Sequence, residues 1–342
     1  MTVGTTAGAG QPVRLTWAAR TVAAGGLAVV AWACLTAGGA VLHGHPAYAV
    51  LLTLTVLGCA LVLVRGLRSR PARTGRAVVP GGAPGVVVRA ALLLVGVVWI
   101  AAVAWLRPFA ATAPALAAMA DDDRVTVTES ATRVVLAPAG DADGTAVFFR
   151  PGAKVEARAY AAVLRPLAEA GHPVVIAKQP FAVAFLAGGA FDDARAHVPG
   201  ADRWVVGGHS LGGVVASSDA DDADKADGTA APVVGLLLYA SYPAQDLSGS
   251  LTAAVESVSA SRDGLATPAK IDASRANLPP GSTFTVVDGA VHAFFGDHGP
   301  QPGDGTPAIT HDQARTRISA ASTRFVDDLS DHRTTTAHDA AG

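Results

Sequence analysis

Apolar and polar positions change rhythm once along this chain. Before about residue 107 the apolar positions form long unbroken runs; after about residue 124 they come in short stretches between polar loops. The three long runs are roughly Val22–Leu42, Ala47–Val64 and Ala90–Leu106. Each is about the 20 residues that a helix needs to cross the hydrocarbon core, and none has an ionisable residue in its middle. The first run is long and two more follow, so residues 1–107 read as a membrane domain of three helices (about 22–42, 47–64 and 90–106) rather than a cleaved leader. Residues 108–123, rich in Ala and Pro and ending in an Asp triplet, read as a linker.

Beyond Arg124 the pattern is that of an α/β domain ending near residue 330. Short β-branched runs such as "RVVLAP", "TAVFFR", "HPVVIAK", "RWVVGG" and "VVGLLLYAS" alternate with helical stretches at Glu156–Ala170, Pro268–Asn277 and Thr310–Leu329. Two strands joined at "AGDADG" are expected to open the domain as a hairpin, because Asp and Gly suit such turns. The alternation that follows implies a mostly parallel sheet covered by helices on both faces. The polar stretch 331–342 is expected to be disordered.

Charge orients the membrane part. Residues 1–110 hold nine Arg and no Asp or Glu. Arg14 and Arg20 precede the first run, and Arg65, Arg68, Arg70, Arg73, Arg76 and Arg89 lie between the second and third. The positive-inside rule puts both segments in the cytoplasm and everything after about Arg107 outside. The expected location is therefore a multi-pass cell membrane protein with an extracytoplasmic domain. The remainder of the chain carries a net charge of −11, which argues against nucleic acid as a partner. Cys34 and Cys59 fall inside apolar runs and read as packing residues. The acidic stretch "DADDADKADG" at 219–228 lacks the alternate carboxylates of a calcium loop and reads as a solvated loop. Neither a metal nor a cofactor is expected, and nothing in the pattern signals an oligomeric state.

The chemistry centres on "RWVVGGHSLGG". Ser210 sits in G-x-S-x-G between a strand and a helix, where glycines two residues either side allow a sharp turn. Two partners follow in order, each after a strand: Asp263 in "SRDGLAT" and His292 in "VHAFFG". Ser210 is the candidate nucleophile, His292 the base and Asp263 the acid; Asp246 is a rival acid. An oxyanion hole needs two backbone N–H groups. Leu211, next to the nucleophile, is one. The other is expected in the loop Arg150–Lys154, where Pro151 has no N–H and Ala153 is the preferred donor. Lys154 and Lys178 follow strand ends and are candidates for holding a substrate carboxylate, and Phe294 for lining an acyl site.

Residues 124–330 resemble the α/β-hydrolase superfamily, and in particular the small, lid-poor group similar to dienelactone hydrolases. The resemblance rests on the "PGAKV" loop, the "GGHSLGG" turn, "ASYP", "SRDGLAT" and "VHAFFGDHGPQPGD". It implies an α/β-hydrolase fold and a Ser-His-Asp hydrolase without cofactor, and it fixes no substrate; the three apolar helices that precede the fold lie outside it. The expected reaction is two-step acyl transfer on a small-molecule ester, with the lipid bilayer as the partner of the helices. Most relatives begin the oxyanion loop His-Gly where this chain has Pro-Gly, which leaves the donor open by one residue. A peptidase or thioesterase on the same triad, and an inactive binding module, remain alternatives. A transporter or sensor role for the helices finds no charged residue within them to mark a pathway.

Overall fold

The computed structural model describes residues 11–68, 83–198, 200–226 and 231–339. Arg70, Arg73 and Arg76 of the basic loop, and Asp227 and Gly228 of the acidic stretch, lie outside the described residues. The chain divides into two compact units: Met1–Val41 with Ala47–Arg107, and Leu42–Pro46 with Pro108–Gly342.

The first unit is built from α1 (Gln11–His43), α2 (Pro46–Arg68) and α3 (Ala83–Trp105). The stretches Trp17–His43, Pro46–Arg68 and Pro84–Trp105 are long and apolar enough to cross a membrane. Most of their large side chains face outward, as Leu54, Leu92 and Val98 do. That suits a lipid solvent, in which apolar exposure is not penalised. Some polar side chains bond between its helices: Trp99 Nε1 donates to Thr55 Oγ1 at 2.9 Å, and Arg107 Nε, at an exposed position, to Thr36 Oγ1 at 2.7 Å.

The second unit carries an eight-stranded sheet. Its strands are β1 (Val125–Glu129), β2 (Arg133–Pro138), β3 (Thr145–Arg150), β4 (Val174–Ala177), β5 (Arg203–His209), β6 (Val233–Tyr239), β7 (Ala254–Ala260) and β8 (Thr283–Val287). The spatial order is β1-β2-β4-β3-β5-β6-β7-β8. β1, β2 and β4 pair antiparallel and the rest parallel. The hairpin expected at "AGDADG" does not form. That segment joins β2 to β3, but β4 lies between them, antiparallel to one and parallel to the other. The true hairpin is β1–β2, closed where Ser130 Oγ accepts the N–H of Thr132 and of Arg133.

Alternation along the strands supplies two apolar faces. Val147 and Phe149 of β3 join one core with α5 (Ala161–Glu169) and α9 (His311–Asp339), through Leu164 and Ile318. Ala146 and Phe148 join the other with α6 (Ala190–His197) and α7 (Leu211–Lys225), through Phe191 and Ala216. The short α4 (Ala113–Ala117) and α8 (Pro268–Ser274) complete the unit.

Three segments differ from expectation. The stretch 108–123 is docked, not free: Arg165 donates to Ala118 O and Ala120 O at 2.7 and 2.9 Å, and Thr112 N–H to Asp297 O at 2.8 Å. Residues 219–225 are the last turns of α7 rather than a loop, held by Arg150–Asp219 and by Lys225–Asp221 at 2.6 Å. α9 runs on to Asp339 into the stretch expected to be disordered, since no Gly or Pro interrupts 310–339.

A buried ion-pair cluster ties the two ends of this unit. His172 is 1% exposed and lies 2.8 Å from both Asp143 and Asp327, the latter on α9. Burial works against its charged form, but the two carboxylates outweigh it and raise its pKa above the ordinary value. A histidine pKa raised by folding adds stability that is full below about pH 6.5 and fades as pH rises through the higher folded value. Melting temperature measured from pH 5.5 to 9 should therefore fall with rising pH. His172→Gln should flatten that slope.

Candidate active site

β5 ends at His209, and the chain turns at Ser210 straight into α7. The backbone of Ser210 is at φ 50°, ψ −123°, a conformation that costs a non-glycine residue roughly 1–3 kcal/mol. It is held from all sides. Ser210 N–H donates to Tyr239 O at 3.0 Å. Its carbonyl accepts Gly213 N–H at 3.0 Å and the Ser241 hydroxyl at 2.7 Å. A Cβ at Gly208 would stand 2.5 Å from the Gly212 carbonyl carbon, and one at Gly212 would overlap the carbonyl oxygens of Arg150 and Pro151. The glycines are what let strand, helix and oxyanion loop meet. Ser241 drew no attention in the sequence, because its role is an anchor made across the sheet from the end of β6.

Asp263 and His292 follow β7 and β8 and meet over the same edge. His292 Nδ1 lies 2.8 Å from Asp263 Oδ2. Asp263 Oδ1 accepts Leu265 N–H and Ala266 N–H, both at 2.7 Å. A carboxylate oxygen can only accept, so Nδ1 carries a proton, and in the neutral form of the ring Nε2 is the nitrogen with the lone pair. The His292 ring lies 4.5 Å, centroid to centroid, from that of His209, the residue before Ser210. The rival acid Asp246 is exposed and bonds to Ser248, not to a histidine.

Both loops are clasped by a residue that no pattern marked. Asp304 accepts the N–H of Gly264 in the acid loop at 3.1 Å, and those of His292 and Ala293 at 3.1 and 2.8 Å. It closes the "VHAFFGDHGPQPGD" motif, within which it bonds His292 and Ala293, while its bond to Gly264 reaches across 40 residues.

The oxyanion loop can be read by hydrogen-bond accounting. Gly152 N–H donates to Tyr160 Oη at 2.9 Å, Lys154 N–H to Ala182 O at 2.7 Å and Val155 N–H to Gly152 O at 3.1 Å. Pro151 has no N–H. Ala153 N–H has no partner among the described residues, and neither does Leu211 N–H at the start of α7. Tyr160 Oη, which accepts from Gly152, is also hydrogen-bonded to His209 Nδ1 at 2.8 Å. His209 is fully buried, and burial first, then His292 and His298, hold its pKa well below the ordinary value. It is thus a neutral ring able to accept that bond. His298, 5% exposed, is lowered to about 4 by burial and its histidine neighbours.

The substrate-binding candidates divide. Lys178 is buried and donates to Glu129 at 2.7 Å and Ser130 O at 2.6 Å. That pairing ties β4 to the β1–β2 turn and commits the ammonium group away from a substrate role. Lys154 borders the oxyanion loop at φ 61°, with its ammonium 5.5 Å from the centre of the Phe109 ring. Phe294 stacks on His311 at 4.5 Å, nearly parallel.

A family model described as "Alpha/beta hydrolase family" matches residues 146–316, a stretch that contains Ser210, Asp263 and His292. No curated protein matches the chain. Among solved structures, a dienelactone hydrolase-like promiscuous phosphotriesterase from metagenomic libraries is 17% identical. The match covers 60% of this chain and 97% of that one, with a TM-score of 0.41. Est1E from Butyrivibrio proteoclasticus is 12% identical over 60% and 98%, with a TM-score of 0.42. A monoacylglycerol lipase from Paleococcus ferrophilus is 13% identical over 57% and 99%, with a TM-score of 0.40.

Asp304→Ala would leave three N–H groups of the two loops without their acceptor. Amide hydrogen exchange at Gly264, His292 and Ala293 should accelerate about 10–100-fold, while exchange in β3 and β5 should stay as it was.

Proposed function

Because the alpha/beta hydrolase match spans half its length, this chain belongs to that family, and from that premise we propose that it is a membrane-anchored serine hydrolase cleaving carboxylic esters. The observation that carries the reading is the Asp263–His292 pair at 2.8 Å, packed against the strained turn that presents Ser210.

The chemistry follows from the protons. Nε2 of His292 takes the Ser210 hydroxyl proton as Oγ attacks the ester carbonyl. The new C–O bond pushes the carbonyl electrons onto oxygen, where the N–H groups of Ala153 and Leu211 receive the charge. The imidazolium, steadied by Asp263, returns its proton to the departing alcohol oxygen as the tetrahedral intermediate collapses. Water then attacks the acyl-enzyme by the same route, giving the carboxylic acid and restoring Ser210.

The three apolar helices fix the enzyme in the bilayer. Arg65, Arg68 and Arg89 beside the helix ends support a cytoplasmic loop there, which puts the catalytic unit on the extracytoplasmic side.

One experiment tests both parts. A membrane-impermeant fluorophosphonate dye, applied to intact cells making the full-length protein, should label it, and Ser210→Ala should abolish labelling. Labelling only after lysis would place the enzyme on the cytoplasmic side. No labelling of folded protein in either case would overturn the hydrolase reading.

A further inference from the structure

The segment that leads out of α3 does not merely tether the second unit; it pairs with the oxyanion loop. Phe109 N–H donates to Lys154 O at 2.7 Å, and Glu156 N–H donates to Phe109 O at 3.0 Å. The two bonds make an isolated parallel bridge between Phe109 and Val155. Alongside it, Ala111 N–H donates to the Glu156 carboxylate at 2.8 Å and Thr112 N–H to Asp297 O at 2.8 Å. Pro108 is buried, and the Phe109 ring packs against the core and lies 5.8 Å from the His298 ring.

What this pairing holds is unusual backbone. Lys154 sits at φ 61°, the left-handed region that suits glycine and costs other residues roughly 1–3 kcal/mol unless their surroundings impose it. Here both sides impose it. Its N–H is taken by Ala182 O and its carbonyl by Phe109 N–H. The preceding residue is Ala153, whose N–H has no acceptor among the described residues. On its other flank, Gly152 is tied to Tyr160. Ala153 is therefore bracketed by two anchored neighbours, and one of those anchors is Phe109.

We propose that Phe109 is a positioning residue for the oxyanion hole, so that the segment emerging from the membrane helices is a working part of the catalytic site. The proposal rests on the serine-hydrolase reading above. Phe109 does not touch the reacting atoms. It acts by keeping Lys154 in its left-handed turn, which sets where the Ala153 N–H stands when negative charge develops on the substrate oxygen. A misplaced donor is felt in the transition state more than in ground-state binding.

The test uses the full-length protein in detergent micelles with p-nitrophenyl butyrate. kcat is expressed per active site titrated to completion with a fluorophosphonate, so that loss of folded protein does not count. Phe109→Pro removes the N–H donor to Lys154. It should lower kcat at least about tenfold, the scale of a weakened oxyanion donor, with KM within about twofold. Lys154→Gly removes the strain, so adding Phe109→Pro to it should cost less than in the parent. If Phe109→Pro does not fold, Phe109→Gly, which keeps the donor but loosens the segment, should lower kcat severalfold at near-constant KM. Unchanged kcat per site in the folded variant, or a loss confined to KM, would overturn the proposal while leaving the hydrolase reading intact. A parent protein that neither turns over the ester nor is labelled would instead overturn that reading itself.

Discussion

A serine held at φ 50°, ψ −123° is the constraint around which the second unit is arranged. That conformation cannot hold itself; the surrounding structure has to supply more than it costs. β6 supplies it through Tyr239 O and the Ser241 hydroxyl, and α7 through Gly213 N–H. The close approach of α7 to the oxyanion loop needs Gly212, because any side chain there would meet the Arg150 and Pro151 carbonyls. Arg150 in turn is fully buried and is held in a two-pronged pair with Asp219, on the far side of α7 from that meeting point in sequence. A buried arginine left without its partner would be costly, so the acid stretch of α7 has a structural task.

The same logic extends outward by layers. Asp263 and His292 belong to different loops, and Asp304 is bonded to both. Ala153 is fixed through its two neighbours, Gly152 by Tyr160 and Lys154 by Ala182 and Phe109. Tyr160 is also hydrogen-bonded to His209, so one phenol links the oxyanion loop to the residue before the nucleophile. The site is thus an assembly of backbone groups clasped by a few polar side chains, some within one loop, as Tyr160 to Gly152, and others between segments far apart in sequence, as Asp304 to Gly264.

That division explains what could be read from residues alone. G-x-S-x-G, and an acid and a histidine each after a β-branched run, are local patterns with local physical causes, and they point to Ser210, Asp263 and His292; the fold pairs the last two at 2.8 Å and packs the His292 ring against that of His209, the residue before Ser210. The long apolar runs were legible for the same reason. Contacts made at a distance were not. Nothing local separates "AGDADG" as a hairpin turn from "AGDADG" as a connection around an inserted β4. The Ala/Pro composition of 108–123 resembles a linker because its attachments are backbone hydrogen bonds, which leave no trace in residue type. Lys178 looked available because Glu129, its partner, lies across the sheet.

The claim on which all of this turns is that Asp263, His292 and Ser210 work as one catalytic unit. It is tested most directly by the kcat of purified full-length protein and its Asp263→Asn variant on p-nitrophenyl butyrate at neutral pH. An amide in place of the carboxylate keeps the geometry but favours the wrong imidazole tautomer, and kcat should fall by about 10⁴. A variant that turns over at the parent rate would contradict the account, because the 2.8 Å Asp263–His292 bond would then have no part in the chemistry.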